Sequence, residues 1–251
     1  TLTDEEQIAV IKRVVEVNRG RVPVIAGTGS FSTKKTITAS KAALHAGADG
    51  VMIVMPYYNK PSQDGMREHV LAIAREVSSP IVLYNIPGRS VVDLSTETTA
   101  QICDKAPNVV GLKDATGNVL RCQELKKRLG DRLTVLSGDD ALTLAFGSVG
   151  AAGVISVTSN VKPRDVSAVT TALLANDYVK ARALHFALVE LHNVMFIEPN
   201  PAPAKAALAS LGKMTVVVRL PLVSASPATK QKVADALARV NETFPKLIAS
   251  A

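Results

Sequence analysis

In the stretch NVVGLKDATGN, residues 108 to 118, one lysine, Lys113, follows an apolar run of the kind that fills a buried strand. A strand-end lysine can simply lay its stem along apolar surface and keep its ammonium in water. Held among apolar neighbours instead, an amine loses hydration of its charged form, and the neutral fraction can attack a carbonyl to form a Schiff base. A metal could polarise a carbonyl too, but the strand ends offer no cluster of histidine and carboxylate ligands. Amine chemistry is therefore preferred, with no metal and no cofactor expected. Tyr84 closes the run PIVLY. Packing alone would leave its hydroxyl on a backbone carbonyl, whereas beside a lysine a phenol can pass protons to and from a carbinolamine. Arg89 lies in the loop that follows, where its fork of donors could hold a substrate carboxylate at two points. Tyr57 and Tyr58 sit in the proline-bounded loop PYYNKP. They suit a binding or interface role as well as packing under the loop.

These residues need elements that bring them to one edge. The chain alternates short β-branched runs with longer segments of helical period, the signature of βα units and a parallel sheet. Six runs read as strands: 22 to 27, 50 to 55, 80 to 85, 109 to 113, 133 to 138 and 152 to 158. Helical spacing of apolar residues marks 33 to 46, 63 to 77, 95 to 105, 119 to 129 and 141 to 149. The acids of DEEQ predict the first turn of a further helix near the start. From about residue 165 to 244 the pattern is helical, broken by IEPNPAP and VVVRLPLVSASP. The expected domains are thus a βα part over 1–164 and a helical part over 165–251. The polar motifs MPYYN, YNIPGR, LKDATGN, LSGDD and ISVTSN all fall at C-terminal strand ends. In parallel α/β folds ligands bind at that edge.

Composition narrows the function classes. With 47% hydrophobic and 20% charged residues the chain is globular rather than disordered. It has no apolar run of the roughly 20 residues that cross a bilayer. The acidic, polar start TLTDEEQIAV is unlike a secretory signal, so a cytoplasmic protein without a membrane partner is expected. A net charge of +7 raises nucleic acid as a partner. The basic residues are spread along the chain, however, and no tryptophan and few other aromatics are there to stack on bases, so none is expected. Cys103 and Cys122 lie in helical segments without a CxxC pattern and predict neither disulfide nor zinc. The four histidines are read as structural, and GTGS, residues 27 to 30, lacks the rest of a phosphate loop.

Taken together, VIAGTGS, PYYNKPSQDG, LYNIPGR, VGLKDATGN, LSGDDALTL, GVISVTSN and EPNPAPAK resemble the dihydrodipicolinate synthase family of pyruvate-dependent Schiff-base aldolases over nearly the whole chain. The resemblance implies an α/β fold, a (β/α)8 TIM barrel with a C-terminal helical domain, and a homotetramer assembled as a dimer of dimers. It implies condensation of pyruvate with aspartate semialdehyde through a Schiff base on Lys113, on the route to diaminopimelate and lysine. Tyr84 would be the central relay tyrosine and Tyr58 the one inserted by a dimer partner. Arg89 would receive the semialdehyde carboxylate, and Gly138 and Ile155 would line the pyruvate pocket.

Two departures accompany the resemblance. Family members begin with a strand, a helix and a second strand ending in Gly-Thr-Thr-Gly-Glu, and this sequence starts just after that motif should occur. The barrel is expected to lack those elements, and a non-catalytic homologue with an incomplete barrel is the alternative from another class. The enzyme alternatives are N-acetylneuraminate lyase and 2-keto-3-deoxy-sugar-acid aldolases, against which Arg89 in NIPGRS argues. Secondly, Phe31 stands where lysine-inhibited members carry an asparagine, while Tyr57 of the same allosteric cleft is retained. A phenyl ring cannot replace the amide's hydrogen bonds, so feedback by lysine is expected to be weak or missing.

Overall fold

The computed structural model describes residues 1–249. The chain divides into two compact units, one of Leu2–Gly138 with Val149–Ala151, the other of Thr1, Asp139–Ser148 and residues from 152 onward.

The first unit holds a five-stranded parallel sheet: β1 (Ile25–Gly27), β2 (Gly50–Val54), β3 (Ile81–Asn85), β4 (Val109–Asp114) and β5 (Thr134–Ser137), hydrogen-bonded in chain order. Parallel neighbours in chain order need a crossover each, and right-handed crossovers running in one direction put every helix on one face. The crossovers are α2 (Thr33–His45), α3 (Gln63–Glu76), α5 (Thr96–Lys105) and α6 (Val119–Leu129); α1 (Asp4–Asn18) precedes β1, and α4 (Pro87–Ser90) is one turn after β3. The expected helix starts are confirmed by their caps. Thr3 and Glu6 form a reciprocal capping box on α1, and Ser32, Ser62, Ser95 and Asn118 cap α2, α3, α5 and α6. Each cap satisfies an amide that the helix itself cannot.

The two faces of the sheet differ in burial. Val51, Ile53, Ile81, Leu83, Leu112 and Val135 are fully buried on the face that the helices cover. Each contributes about 1.5–3 kcal/mol by leaving water. Alternate residues Met52, Val54, Tyr84, Lys113 and Leu136 are only half-buried on the other face.

In the second unit the helices are α7 (Thr143–Ser148), α8 (Pro163–Leu174), α9 (Tyr178–Val194), α10 (Ala202–Ser210) and α11 (Pro227–Ala249). Val169, Leu184, Leu188, Leu191, Met195, Val233 and Val240 form their common core. The breaks between α9, α10 and α11 fall at IEPNPAP and VVVRLPLVSASP, as the sequence predicts.

One expected strand is corrected. Residues 152 to 158 make only an isolated bridge at Val154 and then enter a 3₁₀ turn at Thr158–Asn160. Gly153 sits at φ +151°, outside strand geometry. The amides of Val157 and Thr158 donate to the buried Asp140 carboxylate at 2.8 and 3.3 Å, and the Ser156 hydroxyl donates to it as well. A carboxylate thus takes donors that a ladder would have used, which a β-branched run cannot announce.

Candidate active site

Register decides what the strand ends present. Tyr84 and Lys113 are direct partners across β3 and β4, with Val54 beyond Tyr84 on one side and Leu136 beyond Lys113 on the other. Residues paired in register share a face, so this row projects from the open side of the sheet. The Lys113 amine lies over the Tyr84 ring, with Nζ 4.0 Å from its centroid. Burial pushes the Tyr84 phenol above its ordinary pKa, and the positive charge of Arg89 partly offsets this. The phenol therefore keeps its proton at neutral pH and can donate it.

Tyr84 and Arg89 line one cavity of about 330 Å³ together with Gly27, Gly29, Met52, Val54, Tyr57, Ile86 and Ser90. That is at the small end of the range for small-molecule sites, about 300–1,000 Å³. Its walls come close because Gly29 has no side chain: a Cβ there would stand 2.3 Å from the Val54 nitrogen. Arg89 rides on α4, which starts at Pro87 and is terminated by Val91 at φ +66°. A β-branched residue in the left-handed region is strained, and such strain tends to gather at functional sites.

The remaining candidates separate. Tyr57 reaches the cavity and meets Phe31 edge to face, ring centroids 5.6 Å apart at 81°. Asn59 holds this pair in place by donating from Nδ2 to the Phe31 carbonyl at 3.0 Å. Tyr58 points into solvent, 88% exposed, from a backbone at φ +70°. Gly138 donates its amide to the Asp114 carbonyl at 2.7 Å, and a Cβ on it would lie 2.6 Å from that of Ala115. Ile155 belongs to the second unit, half-buried beside the Ser156 that Asp140 anchors.

The sequence reading passed over a second row. Asn85, Asp114 and Ser137 follow Tyr84, Lys113 and Leu136 in register and are completely buried on the covered face. Asp114 accepts from the Thr116 amide and hydroxyl at 2.9 and 2.6 Å and from Arg121 Nε at 3.0 Å. Strand alternation was the available signal. If Lys113 faces the open side, Asp114 must face the covered side, and a buried carboxylate calls for a cation nearby.

Three of the four histidines that were read as structural are tied into the packing, while His45, at the end of α2, is exposed. His69 Nδ1 pairs with the Thr33 hydroxyl, His192 Nδ1 with the Thr158 hydroxyl, and His185 Nε2 with the Ala141 carbonyl. Cys103 and Cys122 are free and buried, and burial pushes both thiols up to about 11.

The sequence model described as the Dihydrodipicolinate synthetase family matches residues 1–240. The 4-hydroxy-tetrahydrodipicolinate synthase of Sorangium cellulosum is 71% identical over 240 residues, which cover 96% of this chain and 80% of that protein. Among solved structures, the 4-hydroxy-tetrahydrodipicolinate synthase of Methylacidiphilum fumariolicum SolV superposes with TM-score 0.97 at 44% identity, covering 99% of this chain and 83% of that one. The chloride-inhibited dihydrodipicolinate synthase of Acinetobacter baumannii, solved in complex with pyruvate, gives TM-score 0.94 at 42% identity, covering 96% and 82%. Such superposition shows the α/β fold of the TIM-barrel type followed by a helical C-terminal part.

Proposed function

The chain belongs to the dihydrodipicolinate synthetase family, and we propose that it is a lyase condensing pyruvate with aspartate semialdehyde through a Schiff base on Lys113. The observation that carries this reading is the register pair of Tyr84 and Lys113 on the open face, beside a cavity that also holds Arg89.

The Lys113 nitrogen adds to the ketone carbon of pyruvate, and the carbinolamine loses water to give an imine. Tyr84 is the proton carrier for that loss, because its protonated phenol can donate to the departing hydroxyl and be restored afterwards. Removal of a methyl proton turns the imine into an enamine, whose carbon attacks the aldehyde carbon of the second substrate. Arg89 holds that substrate's carboxylate with its planar fork. Attack of the substrate's own amine on the imine carbon closes the ring and releases Lys113. Gly138 and Ile155 are assigned to the pyruvate pocket through their backbones. In this reading residues 1–164 carry the chemistry and residues 165–251 the supporting helical domain.

Tyr58 is assigned to a neighbouring copy's relay. A large aromatic in a strained backbone, held out into solvent, is the form expected of a side chain that is buried only on association. The assembly is accordingly proposed as a homotetramer, a dimer of dimers in the cytoplasm. Among the described residues no helix is long and apolar enough to cross a membrane. The sugar-acid aldolase and non-catalytic alternatives gain no support from a relative at 71% identity that is a synthase by name.

Incubation with pyruvate and borohydride, followed by peptide mapping, tests the reading. An adduct on the peptide that contains Lys113 is expected, since borohydride reduces an imine irreversibly. A folded sample without that adduct would overturn the assignment.

A further inference from the structure

On the covered face, behind Tyr84 and Lys113, one side chain joins the two segments that carry the chemistry. Arg121 lies in the first turns of α6 and is 7% exposed, and Asp114 is fully buried. The Arg121 guanidinium donates to Asp114 Oδ2 at 3.0 Å from Nε and to the Leu94 carbonyl from Nη2, and its Nη1 stands 3.8 Å from Asp93 Oδ1 as an ion pair. The first follows Lys113 on β4. The other two stand where the loop bearing Arg89 returns.

Asn85 closes the same loop from its start. Its Nδ2 donates to Asp93 Oδ1 at 2.6 Å, and its Oδ1 accepts the Leu94 amide at 3.1 Å. Residues 86 to 92 therefore leave β3 and come back onto a base that Arg121 ties to the end of β4. Charge balance alone would need only one contact between Arg121 and Asp114. The fork instead spans two segments, a task that a point charge on a flexible stem cannot perform.

We propose that Arg121 is a positioning residue that fixes the span between the Lys113 amine and the Arg89 guanidinium. Arg121 thereby selects aldehydes whose carboxylate and carbonyl carbon lie a set distance apart. This inference rests on the proposed Schiff-base reaction and deepens it. Small displacements matter here, since roughly 1 Å of misplacement can cost about 10²-fold in rate. Asp93 is the accessible end of the device, with its side chain 58% exposed.

The test uses Asp93→Ala and Arg121→Lys in the full chain, with three readouts: the borohydride-trapped pyruvate adduct, KM for pyruvate, and KM for aspartate semialdehyde. Asp93→Ala is expected to stay folded but to melt roughly 3–10 °C below the parent, because the buried Asn85 amide loses its acceptor. It should form the adduct normally and keep its pyruvate KM within about twofold, while its aldehyde KM rises about tenfold. Arg121→Lys should move the aldehyde KM further and lower kcat as well. A merely structural role would move both KM values together or neither. An unchanged aldehyde KM in Asp93→Ala, or equal changes in both values, overturns the proposal, and Asp93→Ala decides alone if Arg121→Lys does not fold. A parent protein that forms no adduct would instead defeat the underlying reaction, before any variant is compared.

Discussion

The two faces of the sheet are built from the same strands, yet they do opposite work. Toward the helices, Ile53, Leu83, Leu112 and Val135 are sealed from water, and Asn85, Asp114 and Ser137 continue that face as a buried polar row. Toward the open side, Val54, Tyr84, Lys113 and Leu136 stay half-buried, and Val54 and Tyr84 line the cavity. One residue of slip in register would exchange the two sets. The buried face therefore holds the reactive face in place: the covered residues set the alignment, and the open ones use it. Activity and stability should accordingly respond to different residues of one strand.

Lys113→Ala separates the two faces most clearly. It should abolish turnover, roughly 10³-fold or more, because the amine proposed as nucleophile is gone. Its melting temperature should stay near that of the parent. A large loss of stability there would show that the open face also carries the fold. Tyr84→Phe removes one hydroxyl and leaves the ring, so turnover should fall by about 10²-fold with imine trapping slowed in step. Equal rates of trapping in Tyr84→Phe and the parent would remove the phenol from the relay.

Leu112→Ala, one residue before Lys113 but on the other face, should cost about 2–5 kcal/mol of stability. Chemical denaturation would measure this, and folded protein should retain most of its activity at low temperature. Acidification tests the covered interiors more gently. Burial pushes His69 and His192 down to about 4 from the ordinary histidine value near 6.5. Between those limits the unfolded chain binds protons that the folded one refuses, so stability falls as pH drops from 6.5 to 4 and this contribution levels off below. Melting scans across that window should show the decline, and a profile flat down to pH 4 would contradict it. The smallest effect concerns the rim of the open face. With Phe31 against Tyr57, millimolar lysine should leave activity almost unchanged, and strong inhibition in a titration would show that the cleft binds lysine without an amide at position 31.

Much of the site was legible in the strand ends. A lysine and a tyrosine at the ends of apolar runs and an arginine in the loop that follows pointed to one edge of a parallel sheet; Tyr84 and Lys113 pair there in register, and Arg89 lines the cavity with Tyr84. The helix ranges were equally readable, since apolar spacing at three and four residues is a local signal. Residues 152 to 158 misled because a β-branched run states what suits a pleated surface, not whether neighbouring backbone is available. The network of Asn85, Asp93, Asp114 and Arg121 was missed because its members lie in separate segments and meet only when β3, β4 and α6 are assembled.

By itself, then, the sequence determined the alternation of strands and helices and pointed to amine chemistry at the strand ends. These depend on periodicity and side-chain type over short stretches of chain. Only the tertiary structure decided that Tyr84 lies beside Lys113, that Asp140 takes the amides of the sixth run, and that Arg121 joins β4 to the loop of Arg89. Register between strands and the partner of a buried charge are long-range choices, made by packing rather than by any local preference.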